Sequence, residues 1–216
     1  MKKQQMDFAA MPRTAVEVVT SPAAFFREMP KTGGFVEPVA FLLVLSAATA
    51  VVNAVLGLLG LIPFLSAGMA IAGIVLLPAV MLVAGFIWAG IVFAVWKAIG
   101  SAEPFETSYR CVAYLTALMP VTAIINLVPY AGFVIVIAGM TWYYVIASVE
   151  THKVPAQKAW IAFGIIGAVM LLMGITADIA SRSARHSLEG KSQEMQQDMD
   201  QMRKQLDEMQ KRMPKQ

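Results

Sequence analysis

At 216 residues, 58% hydrophobic and with a mean hydropathy of +0.65, the chain has the composition of a polytopic membrane protein rather than of soluble domains. Net charge is only +3, and a single cysteine, Cys111, excludes an internal disulfide and a cysteine-rich metal site. No cofactor and no nucleic-acid partner are expected.

Residues 1–37 are polar and basic, and form the first of three expected regions. They lack the apolar core of a signal peptide, so the first span is expected to act as the insertion signal. Thr14 and Glu17 have capping-box spacing. Ser21 followed by Pro22 reads as an N-cap and first helical residue, predicting a short helix from Pro22 to Met29. With Phe25 and Phe26 beside Arg27, that helix is expected to lie at the membrane interface, apolar side down. A fold-back against the helix bundle is the alternative.

Residues 38–177 form the expected membrane domain. From Pro38 to Trp96 there is no Asp, Glu, Lys, Arg or His. A bilayer crossing takes roughly 20 apolar residues, so this stretch suits two spans, Pro38 to about Gly60 and Ala67 to Trp96, turning at Leu61 to Ser66. Pro78 is a candidate kink in the second. Trp96 beside Lys97 reads as an interfacial anchor. Lys97 to Arg110 reads as a polar connection. Cys111 to Val149 is again uncharged and suits two spans turning at Pro129 to Gly132, with Pro120 bending the first. Trp142, Tyr143 and Tyr144 resemble an aromatic belt. A short loop, Glu150 to Lys158, precedes a fifth span from Ala159 to Ala177.

Loop charges set the orientation. Lys2, Lys3, Arg13, Arg27 and Lys31, then Lys97 and Arg110, then Lys153 and Lys158 fall on one side, and the two opposite hairpins carry no Lys or Arg. By the positive-inside rule the N-terminus is cytoplasmic and an odd number of spans puts the C-terminus outside. The expected location is a bacterial inner (cytoplasmic) membrane.

Residues 178–216 form a polar tail. Leu188, Met195, Met199, Met202, Leu206, Met209 and Met213 recur in steps of three and four, with Ser192 filling the gap. Asp200–Lys204, Asp207–Lys211 and Glu208–Arg212 are helix-supporting pairs four apart. A methionine heptad seam points to coiled-coil association, with a second copy or with a protein partner. The fold class is therefore all-α: five transmembrane helices and a C-terminal amphipathic or coiled-coil helix.

The spans so drawn hold no ionisable group, which argues against catalysis and ion coupling within the membrane. Ser46 and Ser66 have no embedded base, and His152 and His186 lie outside the spans as a poor metal pair. No phosphate-binding or dinucleotide loop is present. The protein is not expected to be an enzyme. Candidate docking or interhelical polar sites are Asn53 and Asn126 within spans, Glu106 and Arg110 four apart before the third span, and Asp178 after the fifth. The simplest reading of Glu106 and Arg110 is a surface ion pair, and the sharper one a cytoplasmic docking point.

Phe105-Glu106-Thr107 followed by Arg110, Tyr114, Pro120 and the turn Val128-Pro129-Tyr130-Ala131-Gly132 resembles the Yip (Ypt-interacting protein) family in its bacterial form. Ser21-Pro22-Ala23-Ala24-Phe25-Phe26 upstream, and Trp142, His152 and Lys158-Ala159 downstream, extend the resemblance over roughly residues 20–175. It implies five spans with a cytoplasmic N-terminus and the C-terminus across the membrane. Eukaryotic members are linked to Rab-type GTPases and carry an Asp-Leu-Tyr-Gly-Pro element, which this chain lacks. The expected function is a non-enzymatic membrane scaffold, contacting lipid and associating through the tail. The alternatives are a small permease or channel lined by Asn53 and Asn126 and, third, a lipid-handling enzyme using Glu106 and Arg110.

Overall fold

The structure, a computed structural model, describes residues 8–62, 67–177 and Met199. Among them the regular elements are all helical. A 3-10 turn leads into α1 (Met11–Thr20), followed by α2 (Pro22–Glu28), α3 (Val36–Leu58), α4 (Ala67–Ala98), α5 (Phe105–Leu115), α6 (Met119–Ile125) and α7 (Ala131–Glu150). The last long helix, α8, covers Ala156–Ala177. Five stretches are long and apolar enough to cross a membrane: α3, Gly68–Ala98 of α4, the combined run Phe105–Ile125, α7 and α8.

Several helix ends follow from local chemistry. Pro22 stands in the first turn of α2 with Ser21 at its N-cap, although the Ser21 hydroxyl makes no capping bond. The Thr14–Glu17 box is not formed, because α1 starts earlier, at Met11; Thr14 sits inside it and its hydroxyl donates to the Ala10 carbonyl at 3.1 Å. Pro120 stands in the first turn of α6, where its missing N–H costs no helix bond. Just before it, a 3-10 turn at Thr116–Leu118 interrupts the third span between α5 and α6. Pro78 is carried inside α4, which is helical throughout its 32 residues. At about 1.5 Å per residue α4 is longer than the roughly 30 Å hydrocarbon layer is thick.

The third span is the centre of the bundle. Of an 18-residue stretch of it 61% of the residues are buried, against 28% for the same length of α3 and 11% for Gly68–Ala98. Its mean hydropathy, 1.3, is also the lowest of the five. The polar helix is thus the inner one, because Thr107, Ser108, Arg110 and Thr116 face protein instead of acyl chains. α3 packs on α4, α5 and α6, and α4 packs also on α5. Phe41 of α3 meets Tyr114 of α5 at 5.0 Å between ring centres, and Phe86 of α4 stacks on Tyr109 at 4.2 Å. Long apolar side chains such as Val75, Ile87, Ile161 and Ile165 remain exposed, as a lipid-facing surface requires.

The third span starts earlier than its uncharged stretch. Phe105–Arg110 is the first part of α5 rather than a connection, so the spans do hold charged groups at one end: Glu37, Lys97, Glu106, Arg110, Glu150 and Lys158. A charge inside the pattern does not end the helix here, because residues far away in sequence neutralise it.

By its contacts the chain divides into Met1–Ala168 and Val169–Gln216. Of the second unit, the described residues are the end of α8 and Met199, which is helical and exposed. The remaining heptad positions, Leu188, Met195, Met202, Leu206, Met209 and Met213, lie outside the described residues.

Two glycines allow a graded test of helix approach. A Cβ on Gly132 would stand 2.2 Å from the Ile125 carbonyl oxygen, a backbone atom that cannot swing aside. A Cβ on Gly85 would stand 2.8 Å from the Leu42 Cδ1, the end of a flexible side chain. Gly132→Ala is expected to lower stability by about 1–3 kcal/mol and Gly85→Ala by less, read as thermal midpoints in detergent.

Candidate functional site

Polar chemistry gathers at two ends of the bundle. At the end that carries the charged residues, the segment preceding α3 is tied down largely through its own backbone. A helix leaves its last four carbonyls without intrahelical partners. Two such carbonyls are taken by α7 and the turn after it: Tyr143 donates to Val19 of α1, and Thr151 to Phe26 of α2, both at 2.7 Å. Thr107 of α5 donates to the Lys31 carbonyl at 3.1 Å.

Gly34 is held from both sides. Its N–H donates to Glu106 at 2.6 Å, and its carbonyl accepts from Arg110 Nη2 at 3.0 Å. The pair spaced four apart on α5 therefore grips a single residue of the preceding loop. Gly34 has φ of +87°, a conformation that glycine adopts without strain. Arg110 is fully buried, and its charge is met by Glu106 at 3.6 Å and Glu37 at 3.4 Å. Its Nε, with Ser108 Oγ and Tyr109 Oη, makes no hydrogen bond among the described residues. Glu106 and Arg110 are accordingly not an exposed surface pair; they hold this chain's own segment.

Two further ion pairs close the same end. Lys31 meets Glu103 at 2.5 Å, and Arg27 meets Glu150 through two hydrogen bonds of 2.9 and 3.0 Å. Arg27 is well exposed, and its partnership with Glu150 raises its pKa above the ordinary value. Phe26 is fully buried while Phe25, partly buried, lies edge-on to Tyr114. α2 is packed on α7, the arrangement of the fold-back alternative.

Beside this network, Ser101 Oγ lies 2.8 Å from His152 Nδ1, and Cys111 Sγ lies 3.9 Å from His152 Nε2. Hydroxyl, imidazole and thiol are the parts of a nucleophilic site, but all three are buried. Trp96 covers the imidazole face at 3.8 Å and donates to Ser148 at 2.7 Å. Trp96 is therefore a buried keystone and not an interfacial anchor. Tyr143 and Tyr144 are likewise buried, which leaves Trp142 as the exposed ring of the expected belt. Burial, then the nearby Lys31 and Lys97 charges, push the His152 pKa down to about 3, so the ring is neutral at ordinary pH. No group of three or more potential metal ligands occurs among the described residues.

A family model described as the Yip1 domain matches residues 16–177. The chain belongs to the Yip1-domain family. It is an integral membrane protein, and the matched region takes in α2 to α8 together with the segment clamped at the charged end. Comparison with curated proteins and with solved structures finds no match.

At the opposite end of this Yip1 domain, Asn53 of α3 and Asn126, just after α6, line one cavity of about 600 Å³ with Thr49 and Thr122. Sequence placed the two amides in separate spans and joined them only in the alternative of a permease path. A usable signal was present, since each lies shortly before a proline-containing hairpin and so at similar depth. Asp178 lies outside the described residues. Sequence reading missed Lys31, Gly34, Glu37, Trp96, Ser101 and Ser148, and set His152 aside. Their partners across the bundle stand 41 to 76 residues away, beyond any local pattern.

Removing Arg110 leaves Glu37 and Glu106 without their cation and Gly34 without its donor. Arg110→Ala is expected to cost about 3–5 kcal/mol and to open residues 30–36 to limited proteolysis. Arg27→Ala, at an exposed pair, should leave both the thermal midpoint and the cleavage pattern nearly unchanged.

His152 gives a pH signature. In the unfolded chain the imidazole protonates near its ordinary 6.5, so between there and about 3 the unfolded state binds more protons than the folded one. Stability from this group is present above pH 6.5 and falls as pH is lowered, by at most about 1.4 kcal/mol per unit. Unfolding midpoints followed by tryptophan fluorescence should show that slope in the wild type and a shallower one in His152→Gln. Parallel profiles would rule the assignment out.

Proposed function

We propose that this Yip1-domain protein is a non-enzymatic membrane scaffold that associates with a second copy, or recruits a partner, through its C-terminal segment. The observation that carries this reading is the inward use of the charged end. Arg110, Glu106, Lys31, Glu103 and Thr107 are engaged in holding residues 31–37. The Ser101–His152–Cys111 group is roofed by Trp96 and its histidine is held neutral. Neither arrangement offers a substrate an ionisable group in a cleft, which is what membrane catalysis and ion coupling need.

A permease would need a polar path between the two ends. Along α3 and the third span, the charged cluster and the Asn53–Asn126 cavity are separated by Phe41, Leu42, Leu45, Tyr114 and Leu118, all buried, and by Ser46 and Thr116, whose hydroxyls donate to carbonyls of their own helices. That layer, mostly apolar and with its two hydroxyls already engaged, favours the scaffold over transport. The handle left for association is the tail, with its methionine heptad and its balanced charges. The reading places the protein in a bacterial inner membrane, with the N-terminus cytoplasmic and the tail outside, as the loop charges favour.

Chemical crosslinking in mild detergent tests it. The full chain is expected to give dimers or larger species, and a chain lacking residues 188–216 is expected to give mostly monomer. Monomer in both would sink the self-associating form of the proposal.

A further inference from the structure

The uncharged end holds polar groups that the scaffold reading does not use. Thr49 of α3 and Thr122 of α6 donate their hydroxyl protons to their own helices, to Leu45 at 2.7 Å and Met119 at 3.0 Å. Their oxygens keep lone pairs free to accept. The Asn53 and Asn126 amides, which each bring two donor hydrogens and an acceptor oxygen, make no hydrogen bond among the described residues. All four side chains line the same cavity of about 600 Å³. A cavity with this many convergent hydrogen-bonding groups, between helices of a membrane bundle, is built to receive a polar group.

Two features define the occupant. Among the described residues the lining carries no charged side chain, so a phosphate or ammonium placed there would lose its hydration without gaining a counter-charge from them. A headgroup of hydroxyl and ester oxygens loses far less and matches the amide and hydroxyl pattern. The cavity is also flanked by exposed apolar side chains on the same helices, Val55 and Leu58 on α3 and Ile124 on α6. Those surfaces face acyl chains, which makes the fitting ligand amphipathic.

We infer that the Thr49–Asn53–Thr122–Asn126 cavity binds the uncharged, hydroxyl-bearing headgroup of a lipid such as a glycosyl diacylglycerol, its acyl chains lying along α3 and α6. This goes beyond the scaffold reading and is tested separately from it, because its readout is lipid retention and not crosslinking of the tail.

The test uses the full chain, stripped of lipid in an amine-oxide detergent that brings no sugar head of its own. Retention of monoglucosyl dioleoylglycerol and of dioleoyl phosphatidylglycerol is compared by native mass spectrometry, with free glucose as a third probe in thermal-shift assays. The glucosyl lipid is expected to be retained at least ten-fold better than the phosphatidylglycerol, and free glucose to give no shift. Asn53→Leu with Asn126→Leu should bring glucosyl-lipid retention down to the phosphatidylglycerol level. Asn126→Ala, at an exposed position that does not put folding at risk, should weaken retention about three-fold by itself. Equal retention of the two lipids, or a glucosyl-lipid signal unchanged in both variants, overturns the inference. Stabilisation by free glucose as strong as that by the lipid also overturns it, and assigns the cavity to a soluble polyol.

Discussion

The arrangement of this protein depends on one buried guanidinium. An arginine removed from water costs several kcal/mol unless its charge is met and its hydrogens are accepted. Arg110 has no exposed surface, and α5 by itself supplies only Glu106. The rest comes from the chain before α3, the Glu37 carboxylate and the Gly34 carbonyl. Burying Arg110 therefore requires residues 31–37 to lie across the end of α5. Once they do, Lys31 reaches Glu103 and the Lys31 carbonyl reaches Thr107. α2 is then close enough to α7 for Thr151 to cap the Phe26 carbonyl.

This clamp is mostly directed at backbone. Val19, Phe26, Lys31 and Gly34 are each recognised through a carbonyl oxygen by a side chain of the bundle. Such contacts fix the path of the segment while leaving its outward side chains free to vary. They also resolve a problem created by two short helices in succession, each of which leaves unpaired carbonyls at its end. The polar residues that a membrane helix would otherwise have to shed are the donors that satisfy them.

The spans were legible in sequence because their signal is local: an uncharged run either reaches the length of a bilayer or it does not. The interruption of the third span near Pro120 was legible for the same reason, as a missing donor acts within one turn. What sequence could not supply were meanings set by distant partners. Trp96 beside Lys97 has the local look of an interfacial anchor, yet its surroundings are Ser148 and His152. Phe105–Arg110 looks like a loop because charge interrupts the apolar run, and it is helix because Gly34 and Glu37 answer that charge. Asn53 and Asn126 were each visible, but their shared cavity depends on how α3 meets α6. The heptad from Leu188 to Met213 keeps only its sequence argument.

The Ser101, His152 and Cys111 group shows why residue type alone does not make a reactive site. A nucleophile–base pair works when the base can accept a proton in the course of reaction. Here burial and two neighbouring lysines oppose a positive charge on His152. Trp96 covers one face of the imidazole ring. The same geometry serves well as a joint, because the neutral ring ties Ser101, on the connection before α5, to the turn after α7. At this end, polar groups are worth most where they find each other and exclude everything else. The opposite end keeps its amides open, and it is there that a ligand could still add a bond.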